Sequence, residues 1–312
     1  MHVPDSMLNG SICPVTAVVS SVGIVAAAVF AMKKNQKNAV SRFAAVTALI
    51  FAAQMLNFPV VNGTSGHLLG GVLAAVMLGV PLGMLSIALV VSIQALVFGD
   101  GGIAVLGANI LNMAVISAGV GGMCYEFLVR KFKNSAGTFE AMALASWFSV
   151  VLASLAVSVE LAWAGTIPFA KCAPAMFSIH ALIGIGEAGI TVAAAYAFGR
   201  YDEKIELPKR NVFAAPALTA VLCALVLSPF ACGWTDGLEA VGGTLGFLKE
   251  SQPLFVSPYP DYIIPQIGET AVSCGLAGLT GVALCLLAAG ILGYALTFRK
   301  QVSVKETTES NE

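Results

Sequence analysis

Apolar residues fall along this chain in long runs broken by short polar segments. A helix that crosses a bilayer needs ~20 mostly apolar residues. Nine stretches are candidates: about 13–32, 40–57, 65–80, 82–98, 104–129, 140–163, 174–199, 212–231 and 270–298. The third is short, and Gly79-Val80-Pro81 leaves room only for a tight turn into the fourth. The pattern predicts an all-α integral membrane protein of about nine transmembrane helices.

Charge gives a check on that count, because cytoplasmic loops carry an excess of Lys and Arg. Nine spans place the termini on opposite sides. With the N-terminus outside and the C-terminus cytoplasmic, fourteen basic residues fall inside: Lys33, Lys34, Lys37 and Arg42, then Arg130, Lys131 and Lys133, then Arg200, Lys204, Lys209 and Arg210, then Arg299, Lys300 and Lys305. Only Lys171 and Lys249 fall outside, and a wrong count would scramble the split. Asp5, Asp100, Asp236, Glu239, Glu250, Asp261 and Glu269 also fall outside. Such a face raises the local concentration of cations, although a solvated polar rim reads the same way.

Composition agrees. Of 312 residues, 58% are hydrophobic and 11% charged, with a mean hydropathy of +0.87, where a soluble domain carries about 25% charged residues. Disorder, a coiled coil and nucleic-acid binding are excluded, and the net charge of −1 offers no basic patch for phosphate. No Lys or Arg precedes Lys33, so no secretion signal is expected and the chain reads as starting at Met1. The seven cysteines form no Cys-x-x-Cys and read as small packing residues. A Cys172–Cys232 disulfide is topologically allowed but has no pattern behind it. Residues 200–211 form a polar cytoplasmic linker, and 232–269 form one long outside loop. The chain thus divides into a seven-helix unit, a linker and a two-helix hairpin, ending in a polar tail over 301–312.

The chain holds three histidines. His2 and His67 both fall on the outer face. A His at position two sets three nitrogens in sequence: the Met1 amine, the His2 backbone amide and the near imidazole nitrogen. A divalent ion that displaces the amide proton can be chelated by all three, nearly in one plane. A fourth nitrogen from His67 closes a square. Planar nitrogen coordination favours Ni(II) or Cu(II), with Co(II) able to accept it; Mg and Ca want oxygen. His180 and Glu187 share one face of the seventh span, and an ionisable residue at that depth is a functional candidate, with a buried structural hydrogen bond as the plainer reading. Glu160 reads as a rim residue. Asn109 and Asn112 read as fixing a loop. Thr64 and Ser65 read as holding the His67 loop. There is no GxxxxGK[ST] and no HExxH, so the chain is not read as an enzyme, and any ATP motor must be a separate subunit.

Met1-His2-Val3-Pro4-Asp5 resembles the Met-His-Ile-Pro-Asp-Gly start of the CbiM/NikM family. Asn57-Phe58-Pro59-Val60 with Gly63-Thr64-Ser65-Gly66-His67-Leu68-Leu69-Gly70-Gly71 resembles its central signature. Asp100-Gly101-Gly102-Ile103 with Leu106-Gly107-Ala108-Asn109, and His180-Ala181-Leu182-Ile183-Gly184-Ile185-Gly186-Glu187, are similar blocks. Together they span about residues 1–200. Thr235-Asp236-Gly237-Leu238-Glu239, in the remainder, resembles the Pro-Asp-Gly-Leu-Glu motif of the two-helix CbiN/NikN partner. Ser6 stands where the family has Gly, and Thr235 where it has Pro.

The resemblance implies a fusion of a CbiM/NikM-like component over 1–200, a linker over 201–211 and a CbiN/NikN-like hairpin over 212–300. It implies the substrate-binding component of an energy-coupling factor transporter, with transported Ni2+ or Co2+ held by Met1, His2 and His67. It further implies a CbiQ/NikQ-like energy-coupling transmembrane protein and CbiO/NikO-like cytoplasmic ATPases as partners. Two other classes remain open from sequence. One is an ion-coupled divalent-metal permease with His180 and Glu187 as a proton relay; the other is a membrane metalloenzyme built on the same two residues.

Overall fold

The computed structural model describes residues 1–33, 39–132, 135–198, 211–248 and 254–309. The chain opens with residues 1–11, which carry no regular helix, and enters α1 (Ile12–Lys33). Helix α2 (Ala39–Gln54) leads to a hairpin of β1 (Phe58–Val61) and β2 (Thr64–Gly66). A short helix α3 (Gly71–Leu78) turns at Gly79 straight into α4 (Val80–Ile93), which runs on as a π-helical turn over Gln94–Phe98. Next comes α5 (Leu106–Lys131), whose middle, Leu111–Val120, is π-helical. Helices α6 (Ser135–Trp163) and α7 (Phe169–Ala197) follow. Beyond them lie α8 (Asn211–Leu222, extended by further turns to Phe230), β3 (Thr235–Asp236), the short α9 (Gly237–Leu245) and α10 (Ala271–Glu309).

Among the described residues, seven helices are long and apolar enough to cross a membrane, and Val40–Gln54 is a shorter apolar one. The clearest departure from the sequence reading is the third stretch, 65–80. It folds as the second strand, an extended link and the eight-residue α3, which is about 12 Å long at ~1.5 Å per residue and cannot span alone. The reason lies in α7. The Glu187 carboxylate accepts hydrogen bonds from the backbone N–H of Leu69 (2.7 Å) and Gly70 (3.0 Å). Those two amides are therefore satisfied outside any helix, as irregular backbone buried in a membrane protein requires. The seventh helix begins at Phe169, before the expected 174, and carries Pro174 within it.

Helices α8 and α10 both pack on α2, and α6 packs on α7. The far end of the Phe51 ring on α2 packs against Gly281 of α10, where any Cβ would collide with it. The hairpin turn is Asn62-Gly63, both at positive φ (51° and 75°), the backbone that a two-residue turn between twisted strands demands. Nothing in the sequence reading predicted this sheet, though Asn-Gly between two short runs is the signal for it. All seven cysteines are free; Cys172 is buried and Cys232 half-buried.

The non-helical segments gather at one end. Trp163 Nε1 donates to Ser11 Oγ (3.3 Å), Thr166 Oγ1 to the Met7 carbonyl (2.6 Å), and Cys232 N–H to the Asn57 carbonyl (2.9 Å). At the other end Arg42 donates to the Met77 carbonyl in the last turn of α3 (2.7 Å), where a cation also suits the helix dipole. The linker residues 200–210 lie outside the described residues, as do Lys34, Lys37, Lys133, Lys249, Glu250 and the last three residues of the tail.

Candidate metal centre

The N-terminal segment is buried without being helical: Met1 is 3% exposed and Val3 fully buried. Asn109, in the first turns of α5, holds it. Its Oδ1 accepts from Val3 N–H (2.8 Å) and its Nδ2 donates to the Val3 carbonyl (3.1 Å), so one amide grips both polar groups of one residue. Gly102 N–H donates to the same carbonyl (3.0 Å), and Asp5 Oδ1 accepts from Ala104 N–H (3.0 Å). Gly102 has to be glycine here, because a Cβ would collide with the Asp5 carboxylate.

This clamp sets His2 and the Met1 amine against the hairpin. The amine contacts His67 Nε2 directly and pairs with Asp236 Oδ2 at 2.9 Å. The rings of His2 and His67 lie 5.2 Å apart, centre to centre, with their planes 17° from parallel. His67 Nδ1 faces the Leu68 carbonyl at 3.1 Å, which leaves Nε2 turned to the amine. His2 Nδ1 stands 3.1 Å from Asp100 Oδ1, and His2 Nε2 is 3.0 Å from Gln94 Oε1. Met1, His2 and His67 are thus brought together from positions 66 residues apart.

Burial, then the charge on Met1 and the nearby His2, push the His67 pKa down to about 3. Its ring therefore stays neutral, which is the form that binds a metal. Desolvation raises Asp236, but the Met1 ammonium outweighs it and, with His67, holds the carboxyl well below the usual range. The same balance, with His2 as the opposing charge and hydrogen bonds from His2 and Tyr262, keeps Asp100 ionised.

The other residues singled out from sequence sort by partner. Thr64 and Ser65 are buried in β2; Ser65 Oγ donates to the Trp234 carbonyl (2.7 Å), and the strand pairs in parallel with β3, Ser65 opposite Asp236. Asn112 donates to Glu160 Oε2 (2.8 Å), so Glu160 is a buried, paired group rather than a rim residue. His180 and Glu187 do not meet as a pair. Each reaches a different group: His180 the Met176 carbonyl, Glu187 the backbone of Leu69 and Gly70.

Three groups were not read as part of the site. Asp236, seen in the sequence only as rim charge and motif, is the counter-ion of the amine. Tyr262 donates from its hydroxyl to Asp100 Oδ2 (2.7 Å) and stacks on Phe98 at 4.6 Å, while Gln94 Nε2 donates to the same hydroxyl at 3.3 Å. Both Asp236 and Tyr262 come from the 232–269 loop, so the C-terminal part completes the site. No group of three or more His, Cys, Asp or Glu is placed to hold a metal among the described residues. The groups that do meet are an amine and two imidazoles.

The chain is similar to known metal transport proteins. Residues 2–205 match the CbiM model, described as a cobalt uptake substrate-specific transmembrane region, and residues 210–298 match the PDGLE domain. A chain of Archaeoglobus fulgidus described as a fused nickel transport protein, NikMN, is 34% identical over 304 residues, which cover 95% of this chain and 98% of that one. The fused nickel transport protein NikMN of Rhodobacter capsulatus is 27% identical, covering 93% and 96%. A solved transition metal transporter is 31% identical with a TM-score of 0.59, covering 68% of this chain and 98% of that one.

Proposed function

The chain belongs to the CbiM family, and from that premise we propose that it is the metal-binding membrane component of an ATP-driven energy-coupling factor transporter for Ni2+ or Co2+. The nickel and cobalt transport named for its relatives supports the substrate class. The observation that carries the reading is the meeting of the Met1 amine, the His2 ring and His67 Nε2 in one buried place at the end of the bundle.

The cation reaches this end from outside the cell, drawn by its carboxylates. The Met1 amine, the His2 amide, His2 Nδ1 and His67 Nε2 form a square around it. Binding releases the amine and amide protons, along with any ring proton that faces Asp100. Four nitrogens in a plane favour Ni(II) and low-spin Co(II) over ions that need oxygen or six ligands. Asn109, Thr64 and Ser65 hold the donors in register, a supporting role that governs affinity. The hairpin over 212–300 serves as a built-in CbiN/NikN-like accessory. ATP hydrolysis belongs to separate cytoplasmic subunits, coupled through a transmembrane partner, and this chain catalyses no reaction.

The test keeps every side chain and moves only the amine. Ni(II) and Co(II) binding is measured on full-length protein tagged at its C-terminus, with and without one extra residue before Met1. One-to-one, high-affinity binding to the native start and at most weak binding to the extended form is the expected result. Equal binding to both removes the amine from the ligand set and overturns the site.

A further inference from the structure

His180 is a buried histidine with one ring nitrogen unused. It sits in the upper part of α7, 1% exposed. Its Nδ1 donates to the Met176 carbonyl four residues back, at 2.8 Å, and among the described residues its Nε2 has no hydrogen-bond partner. The first bond fixes the tautomer: with the proton on Nδ1, Nε2 carries a bare lone pair. That arrangement, one ring N–H tied to a carbonyl and the other nitrogen open, is how proteins orient metal-binding imidazoles. An unpaired buried acceptor is otherwise costly and calls for an explanation.

The surroundings supply one. His180 lines a small cavity of about 10 Å3, room for a single water, together with Met1, His67, Ile183, Asp236 and Gly237. A Cβ built on Gly237 would lie 3.1 Å from His180 Cε1, so the tip of the ring rests beside the residue that follows Asp236. The cavity therefore brings the His180 ring beside Met1 and His67, on a helix that leads away from the site. Glu187 lies two turns further along the same face and is fully occupied by the backbone of Leu69 and Gly70.

We propose that His180 Nε2 is an inner coordination point for the transported cation, reached when the ion leaves the N-terminal square. This rests on the reading of Met1, His2 and His67 as the loading site. A cation in a four-nitrogen square cannot simply fall out, since each bond lost has to be replaced. His180 Nε2 offers the incoming bond as the Met1 amine or His67 lets go, and the Asp236 carboxylate, already beside the amine, accompanies the ion. The point is a waypoint of one ring nitrogen completed by Asp236 and water, not a closed cage. That agrees with the lack of any three-residue His, Cys, Asp or Glu cluster among the described residues.

The experiment separates loading from transit. Nickel binding to purified full-length protein and nickel uptake by cells producing the chain with its transporter subunits are measured for the native chain, His180→Gln and His180→Asn; the second variant covers a folding failure of the first. Expected are native one-to-one binding in the variants and uptake reduced by roughly tenfold or more. In the chain extended before Met1, whose square is broken, weakly held Co(II) is expected to show a visible absorption that His180→Gln abolishes. Native uptake in the variants overturns the proposal. So does a parallel fall of binding and uptake, which would make His180 a support of the loading site, or a Co(II) absorption indifferent to residue 180. No binding by the native chain would sink the loading site itself, a failure told apart from the others by the unsubstituted protein.

Discussion

Residues 1–8 and the helix that follows them invert the usual relation between order and burial. Met1, Val3, Met7 and Leu8 lie in no helix or strand, yet each is 3% exposed or less. Helix α1 is regular throughout, yet only 17% of its apolar window is buried within the protein, and Val18, Val22 and Val25 stand more than 60% exposed. A helix satisfies its own backbone and can face lipid with little else around it. The irregular segment cannot. Its polar groups are met from elsewhere in the chain, by Asn109, Gly102, Asp100, Asp236 and Thr166 among others, and that requirement fixes the Met1 amine and the His2 ring in place. In this molecule the elaborate contacts belong to the part without secondary structure.

That contrast can be broken most sharply at Asn109. Asn109→Ala removes both bonds to Val3 and frees the N-terminal segment, and nickel affinity by calorimetry should fall by about 10–100-fold. Unchanged affinity would mean the segment is held by apolar burial alone. Acidification comes next. Each proton released on binding weakens affinity by about tenfold per pH unit. His67 contributes none of this slope: its folded pKa is lowered to about 3, so it remains neutral at every pH above that. A titration of log Kd against pH should therefore show no break attributable to His67 between neutrality and pH 4, whereas a break near the ordinary His value of about 6.5 would contradict its burial.

Tyr262→Phe is milder. It keeps the ring on Phe98 but takes the hydroxyl from Asp100 and hence the support behind His2; a loss near fivefold in affinity matches about 1 kcal/mol for one hydrogen bond. An identical Kd would show that the C-terminal loop only covers the site. At the far end of the scale, Val22→Leu on the 66% exposed face of α1 should leave both affinity and thermal stability as they were. A measurable loss would mean that this face carries a partner contact rather than lipid.

Much of the fold was legible in sequence because membrane helices are written in consecutive residues. The stretches at 13–32, 82–98, 104–129, 140–163 and 212–231 reappear within a few residues of the observed helices, and 270–298 lies in α10, which runs on to Glu309 through most of the segment read as a polar tail. The failure at 65–80 is equally instructive. Its composition is that of a span, but the Glu187 carboxylate more than a hundred residues later takes the amides of Leu69 and Gly70 and delays the helix to Gly71. The three residues read as metal donors do converge, since the special chemistry of a histidine at position two is visible in two letters. Asp236 and Tyr262 were not legible as site residues, because nothing local in Thr235-Asp236-Gly237 or Pro260-Asp261-Tyr262 says which distant group each will face.

Sequence alone therefore determined what depends on neighbours along the chain: which segments are apolar enough to enter a membrane, where polar breaks end them, and that an amine, an amide and an imidazole follow one another in Met1 and His2. Tertiary structure alone decided what depends on the return of the chain to its own start. It set His67 against the Met1 amine, Asp236 beside both, Tyr262 behind Asp100, and the open nitrogen of His180 below them. The physical reason is range. Hydropathy and chelate-ring size act over a few bonds, whereas the pairing of buried charges and the satisfaction of stranded backbone amides select partners anywhere in the chain that burial brings close.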